Sequence, residues 1–178
     1  MSTRIVFALV NVIGVVAVIG GYAWCLGTYP EHREALWGGV HGTLRSIFTL
    51  SMIPAAAGYL TFCYATIFQG GAMTFDKDAV VGAKTIVIIA TVFLASAAMW
   101  MPSSIAYIRS GEGAWWLVCV ASLWVTALSL LAMTGVTAAS PVNGASEISK
   151  TVSVVGLAYI TFHCLMLDAI GWVVLFKR

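Results

Sequence analysis

The chain has 178 residues, of which 61% are hydrophobic and only 9% are charged, and its mean hydropathy is +0.97. Because a soluble domain carries roughly 25% charged residues, this composition excludes a soluble fold and predicts a chain surrounded mostly by lipid. The net charge of +2 comes from nine Lys and Arg residues against seven Asp and Glu residues, and no basic cluster indicates nucleic-acid binding.

Charged residues divide the sequence into five long apolar segments. We predict membrane-spanning helices at about residues 5–30, 46–69, 84–108, 113–139 and 151–176. Each segment is long enough, since a helix needs about 20 apolar residues to cross the hydrocarbon core. In lipid the backbone must satisfy its own hydrogen bonds, and the alternation typical of a membrane β-barrel is absent. The predicted fold is therefore all-α: one domain over 1–178, a polytopic bundle of five transmembrane helices.

The first segment follows directly after Arg4, as the apolar part of a secretory signal peptide would. Its apolar run is longer than the usual 7–15 residues, and no A-x-A cleavage site follows it. We therefore expect a retained transmembrane helix, which makes the chain an integral membrane protein.

Five crossings place the two termini on opposite faces of the membrane. We name the face where the first helix begins side A and the face where the fifth helix ends side B. Side A receives four Lys and Arg residues and side B receives five. The positive-inside rule therefore leaves the orientation open.

Small and polar residues recur at helical spacing on the first and fourth predicted helices. On the first helix they are Asn11, Gly14, Gly21 and Cys25, and on the fourth they are Cys119, Ser122, Thr126 and Ser129. Such faces are typical of contacts between membrane helices. The alternative is that the stripe on the fourth helix lines a narrow polar passage.

Asp168 is a carboxylate within the fifth predicted helix, in the half nearer side B. A carboxylate at the centre of a span costs about 2.5 kcal/mol or more, so such residues usually face the protein interior and have a partner. His41 and Arg45 lie one turn apart where the second helix begins on side B, and we predict that one of them pairs with Asp168, directly or through a bridging water. Arg109, at the side-B end of the third helix, is the other candidate. The alternative is that Arg45 extends toward the lipid head groups.

His163 lies near the middle of the fifth predicted helix. In a regular α-helix it would be about 140° around the axis from Asp168, so we expect the two not to share a site. A hydrogen bond to a neighbouring helix is the favoured role for this histidine. Haem or another tetrapyrrole is the alternative ligand, but a second histidine at similar depth is missing, because His32 and His41 lie near side B. We therefore predict no cofactor.

Several tryptophans fall near the predicted span ends, namely Trp24, Trp37, Trp115, Trp116 and Trp172. Anchoring at the membrane interface explains most of them. An aromatic ligand pocket is the alternative explanation.

The sequence contains no H-E-x-x-H, G-x-S-x-G or phosphate-binding loop motif, so no enzyme signature is present. We expect a non-enzymatic subunit of a membrane complex or homo-oligomer, or a module that binds lipid or another hydrophobic ligand. One alternative is a small transporter or channel-like protein with a polar site near side B, and another is a haem- or pigment-binding electron-transfer subunit. The candidate ligand-binding or polar residues are His41, Arg45, Arg109, His163 and Asp168.

The five-span topology predicts opposite locations for the two termini. Reporter domains fused to the N terminus in one version and to the C terminus in another should report opposite faces of the membrane. Two reporters on the same face would contradict the topology and would show that one apolar segment does not cross.

Overall fold

A computed structural model describes residues 2–69, 82–140 and 146–176. The described residues form five long helices: α1 (Thr3–Thr28), α2 (Gly42–Phe68), α3 (Ala83–Ser110), α4 (Gly113–Ala139) and α5 (Glu147–Leu175). Each helix is long and apolar enough to cross a membrane. The predicted all-α bundle is therefore confirmed, and every predicted span end lies within about four residues of the observed end.

The helices pack in an order that differs from their order along the chain. α1 packs on α3, α3 on α4, and α5 on both α2 and α4, whereas α1 and α2 make little direct contact. α2 and α5 approach most closely at Gly58 and Gly156, where a Cβ on either glycine would lie within 2.6 Å of the carbonyl oxygen of the other. Only residues without a side chain allow two helix backbones to come this close.

The polar stripe on α4 faces α3. The hydroxyl of Ser104 lies 3.1 Å from the thiol of Cys119, and the hydroxyls of Ser96 and Thr126 are 2.8 Å apart. These hydrogen bonds hold two helices together in an environment that offers no water as a substitute partner. The stripe therefore lies at the contact between α3 and α4, as the sequence predicted.

The small face of α1 is also used for packing. Asn11 accepts a hydrogen bond of 2.7 Å from the hydroxyl of Tyr59 on α2, and a Cβ on Gly14 would overlap the side chain of Leu94 on α3. Asn11 is thus a buried polar group with a partner, which removes most of the cost of placing it in the bundle.

The connection between α1 and α2 covers the side-B end of α5. It contains two short 3₁₀ helices, Pro30–His32 and Ala35–Trp37, and the indole of Trp172 donates a 2.9 Å hydrogen bond to the carbonyl of Leu36. A Cβ on Gly39 would overlap the carbonyl oxygen of Leu175. The backbone of the connection therefore packs directly against the end of α5.

The apolar core is continuous on side A and divided on side B. The side-A cluster draws on all five helices, and its members include Phe7, Phe62, Ile86, Leu130, Met133 and Leu157. On side B, one cluster around Trp116 and Trp172 lies between α2, α4 and α5, and a second around Cys25 and Met101 lies between α1 and α3. The division leaves space between the two side-B clusters.

α5 changes its winding where it enters the side-B half. It is α-helical over Glu147–Phe162, π-helical over His163–Trp172, and α-helical again over Val173–Leu175. The hydrogen bonds of a π-helix join residues five positions apart, so side chains at that spacing lie one above the other. Because π-helical turns are rare and frequently occur at functional sites, this segment directs attention to the residues it carries.

The glycine contact between α2 and α5 predicts a strong effect of the smallest added side chain. We expect Gly58→Ala or Gly156→Ala to force the helices apart and to destabilise the bundle by about 1–3 kcal/mol, the usual cost of overpacking. Gly135→Ala on α4 is the matched control, because a Cβ there meets no atom within 4 Å. Unfolding titrations in detergent would measure all three, and equal stabilities would contradict the close approach.

Candidate functional site

A cavity of about 350 Å³ occupies the space between the two side-B clusters. Its walls come from α1, α2, α3 and α5, and the connection between α1 and α2 forms part of its lining on the side-B face. Five aromatic side chains line it: Tyr22, Trp37, Phe48, Trp100 and Trp172. Three charged residues, Arg33, Arg45 and Asp168, complete the lining together with aliphatic and methionine side chains.

The aromatic wall is held in place by ring contacts. The ring of Trp100 packs edge-on against Tyr22 at 5.6 Å and against Trp172 at 5.7 Å. Trp172 in turn stacks on Trp116 at 5.8 Å. Such pairs favour defined ring orientations, so these contacts hold the rings of Tyr22, Trp100 and Trp172 in place along the cavity wall.

The tryptophans near the span ends therefore divide into two groups. Trp24 and Trp115 are exposed, as interface anchors would be, whereas Trp116 and Trp172 are buried. Interface anchoring does not explain Trp116 and Trp172, because their rings stack on each other inside the bundle. Trp37 lies in the cavity wall, so the structure favours the alternative of an aromatic pocket for part of the group.

Asp168 lies on the cavity wall and faces His163 across one π-helical turn. The His163 Nε2 atom is 3.6 Å from the Asp168 Oδ2 atom, and the Asp168 side chain is 26% exposed. The expectation that these two residues cannot share a site was wrong. It assumed 100° per residue, whereas the π-helical segment places residues five positions apart above one another.

The other ring nitrogen of His163 contacts α2. His163 Nδ1 lies 2.9 Å from the hydroxyl of Ser51, and that hydroxyl is also 3.2 Å from the hydroxyl of Tyr159. The predicted hydrogen bond from His163 to a neighbouring helix is thereby confirmed. Both ring nitrogens thus face protein groups, and haem ligation through His163 would have to break one of these contacts.

Ser51, His163 and Asp168 are also the residue types of a serine hydrolase triad. Ser51 is buried and does not line the cavity, whereas a nucleophile must reach its substrate. Its hydroxyl is shared with Tyr159. We therefore interpret Ser51 as a residue that positions the His163 ring, which in turn faces Asp168.

Arg45 pairs with Glu34 of the connection. An Arg45 guanidinium nitrogen lies 2.7 Å from a Glu34 carboxylate oxygen, and the guanidinium also lies over the Trp37 ring, 4.6 Å from its centroid. The hydrogen bond and the charge of Arg45 lower the pKa of Glu34. Arg45 therefore does not form a direct ion pair with Asp168, because Glu34 supplies the nearer carboxylate, although both residues line the same cavity.

His41 and Arg109, the two remaining candidate residues, lie outside the cavity. His41 is exposed and immediately precedes α2. Arg109 donates a 3.0 Å hydrogen bond to the hydroxyl of Tyr29 and lies 4.6 Å from the centroid of that ring. Of the five candidates, Asp168 and Arg45 line the cavity, and His163 lies behind Asp168.

Several residues of the cavity wall were not among the candidates predicted from the sequence, including Tyr22, Arg33 and Trp100. Trp100 carried one usable signal, since it lies inside a predicted span and away from its ends. Its buried indole N–H has no hydrogen-bond partner in the described part of the chain. An unsatisfied buried donor costs about 1–3 kcal/mol, so this part of the wall is less well satisfied than most of the bundle.

No family model matches the chain, and no curated protein or solved structure matches it either. The function is therefore inferred from the cavity and its polar groups alone.

The Arg45–Glu34 contact predicts a coupled pair. Glu34→Gln and Arg45→Gln should each lower the stability slightly, and the double variant should lose less than the sum of the two. Because the folded-state pKa of Glu34 is lowered, the coupling should be fully present above the usual pKa of 4.5 and should vanish as the pH falls through the lowered value. Melting curves of the four proteins at several pH values would measure it.

The matched comparison pairs Asp168→Asn with Arg45→Gln. We expect additive losses for this combination, because Arg45 pairs with Glu34 and not with Asp168. Coupling between Asp168 and Arg45 without coupling between Glu34 and Arg45 would contradict the observed pairing.

Proposed function

We propose that the protein is an integral membrane binding protein that holds the polar end of a lipid-like amphiphile in the side-B cavity. The observation that carries this proposal is the composition of the cavity wall, which combines aromatic rings with one carboxylate, Asp168. Ligand sites are typically about 300–1,000 Å³ in volume, mostly apolar, with a few polar groups that fix orientation. The cavity of about 350 Å³ falls within this range.

The position of the cavity supports entry from the lipid. Met52 of α2 lines the cavity and is 41% exposed, so the wall reaches the outer surface of the bundle there. Neighbouring α1 and α2 make little contact with each other. An amphiphile would thus place its head among the aromatic rings and leave the rest of its chain beside Met52 in the lipid.

The packing of side A favours a binding protein over a transporter or channel. A passage across the membrane needs a polar route through both halves of the bundle. The side-A half instead contains large, fully buried apolar side chains, such as Phe7, Phe62 and Met133. The polar groups near the cavity therefore belong to a binding site with one opening and not to a polar route through both halves of the bundle.

Filling the cavity should weaken binding. Met52→Trp introduces a larger side chain at the cavity wall, and Leu128→Trp introduces the same side chain on the exposed face of α4 as the matched control. Each purified protein in a nonionic maltoside detergent would be offered three twelve-carbon probes: monolauroylglycerol, dodecanoate and dodecyltrimethylammonium. Native mass spectrometry would then count the molecules retained.

We expect the wild type and Leu128→Trp to retain one molecule of at least one probe. Met52→Trp should retain it at least about tenfold more weakly, which corresponds to 1.4 kcal/mol. The proposal would be overturned if the wild type retained none of the three probes, or if the two tryptophan variants behaved alike.

A further inference from the structure

The charged groups of the cavity differ in how far their charges are already compensated. Arg45 forms an ion pair with Glu34 at 2.7 Å. Arg33 donates two hydrogen bonds, of 3.0 and 2.8 Å, to the carbonyl of Leu26 in the last turn of α1, where the helix dipole is negative. Both guanidinium groups therefore have acceptors of their own.

Asp168 is compensated less: its carboxylate has a hydrogen bond with the thiol of Cys164 on the same helix, but it has no guanidinium or ammonium partner among the described residues. It is the only acidic residue among the described residues of the lining, and its nearest basic group, His163 Nε2, is 3.6 Å away, beyond hydrogen-bond distance. His163 uses its other ring nitrogen on Ser51. A carboxylate at this depth in a membrane helix calls for a cationic partner, and the described residues supply no lysine or arginine that pairs with it.

Aromatic rings border the same space as the Asp168 carboxylate. Tyr22, Trp100 and Trp172 all line the cavity with it, and Trp100 contacts the other two rings edge-on. Aromatic faces attract cations, and recognition of quaternary ammonium groups by several rings is a well-established use of this attraction. The combination of a carboxylate and an aromatic enclosure matches the requirements of an ammonium group.

We propose that the cavity selects amphiphiles whose head carries an ammonium group, which pairs with Asp168 within the enclosure formed by Tyr22, Trp100 and Trp172. This inference rests on the proposed function and adds the chemical class of the ligand. An anionic head is disfavoured, since it would meet the Asp168 carboxylate, while Arg33 and Arg45 are already engaged. His163 acts as a positioning residue, because its ring faces the Asp168 carboxylate from behind the wall.

The test compares an ammonium probe with a neutral probe of the same chain length. Dodecyltrimethylammonium and monolauroylglycerol would be titrated into the wild type, Asp168→Asn and Asp168→Glu in maltoside detergent, and retention would be measured by native mass spectrometry. Glu31→Gln is the matched control. It removes one negative charge on side B at an exposed residue outside the cavity lining.

The wild type and Glu31→Gln should retain the ammonium probe in preference to the neutral one. Asp168→Asn should weaken retention of the ammonium probe by about tenfold, because a partly desolvated ion pair loses one of its charges. The same variant should retain the neutral probe unchanged, which shows that it is folded. Asp168→Glu should keep a measurable part of the preference.

Equal retention of the two probes by the wild type would overturn the inference while leaving the proposed function intact. An ammonium preference that survives in Asp168→Asn would do the same. Retention of neither probe nor of dodecanoate would contradict the proposed function itself. A loss of both probes in Asp168→Asn, with a normal melting curve, would also overturn the inference, because it would assign Asp168 to binding in general and not to the ammonium group.

Discussion

The side-B half of the protein is organised around one energetic constraint, the presence of a carboxylate inside a helix that is long and apolar enough to cross a membrane. Burying Asp168 without partners in lipid would cost several kcal/mol. The carboxylate has a hydrogen bond with the thiol of Cys164, lies 3.6 Å from His163, and borders a cavity. All three depend on the direction in which Asp168 points, which the winding of α5 determines.

The π-helical segment connects this carboxylate to the rest of the bundle. At its start, His163 is hydrogen-bonded to Ser51 on α2. At its end, Trp172 is hydrogen-bonded to Leu36 in the connection and forms part of the cavity wall. The same ten residues therefore determine how α5 packs on α2 and where the connection between α1 and α2 contacts α5. They also position Asp168, the proposed ligand contact.

Hydropathy predicted the five helices well because insertion into lipid depends on the composition of each segment by itself. The partners of individual polar residues were less accessible. Asp168 lies on the cavity wall, but it does not form a direct ion pair with Arg45, because Glu34, eleven residues before Arg45 in the chain, pairs with Arg45 instead. The proximity of His163 and Asp168 could not be predicted from a regular helix, since no residue type specifies a π-helical turn.

The most direct test of this account is the distance between His163 and Asp168 in the membrane-embedded protein. Solid-state NMR dipolar recoupling between the histidine ¹⁵Nε2 and the aspartate ¹³Cγ would measure it, with the His163→Gln variant identifying the signal. The account predicts a separation of roughly 5 Å or less, one carbon–oxygen bond beyond the observed 3.6 Å. No measurable coupling between these two atoms would contradict it, because a regular α-helix places the two side chains about 140° apart.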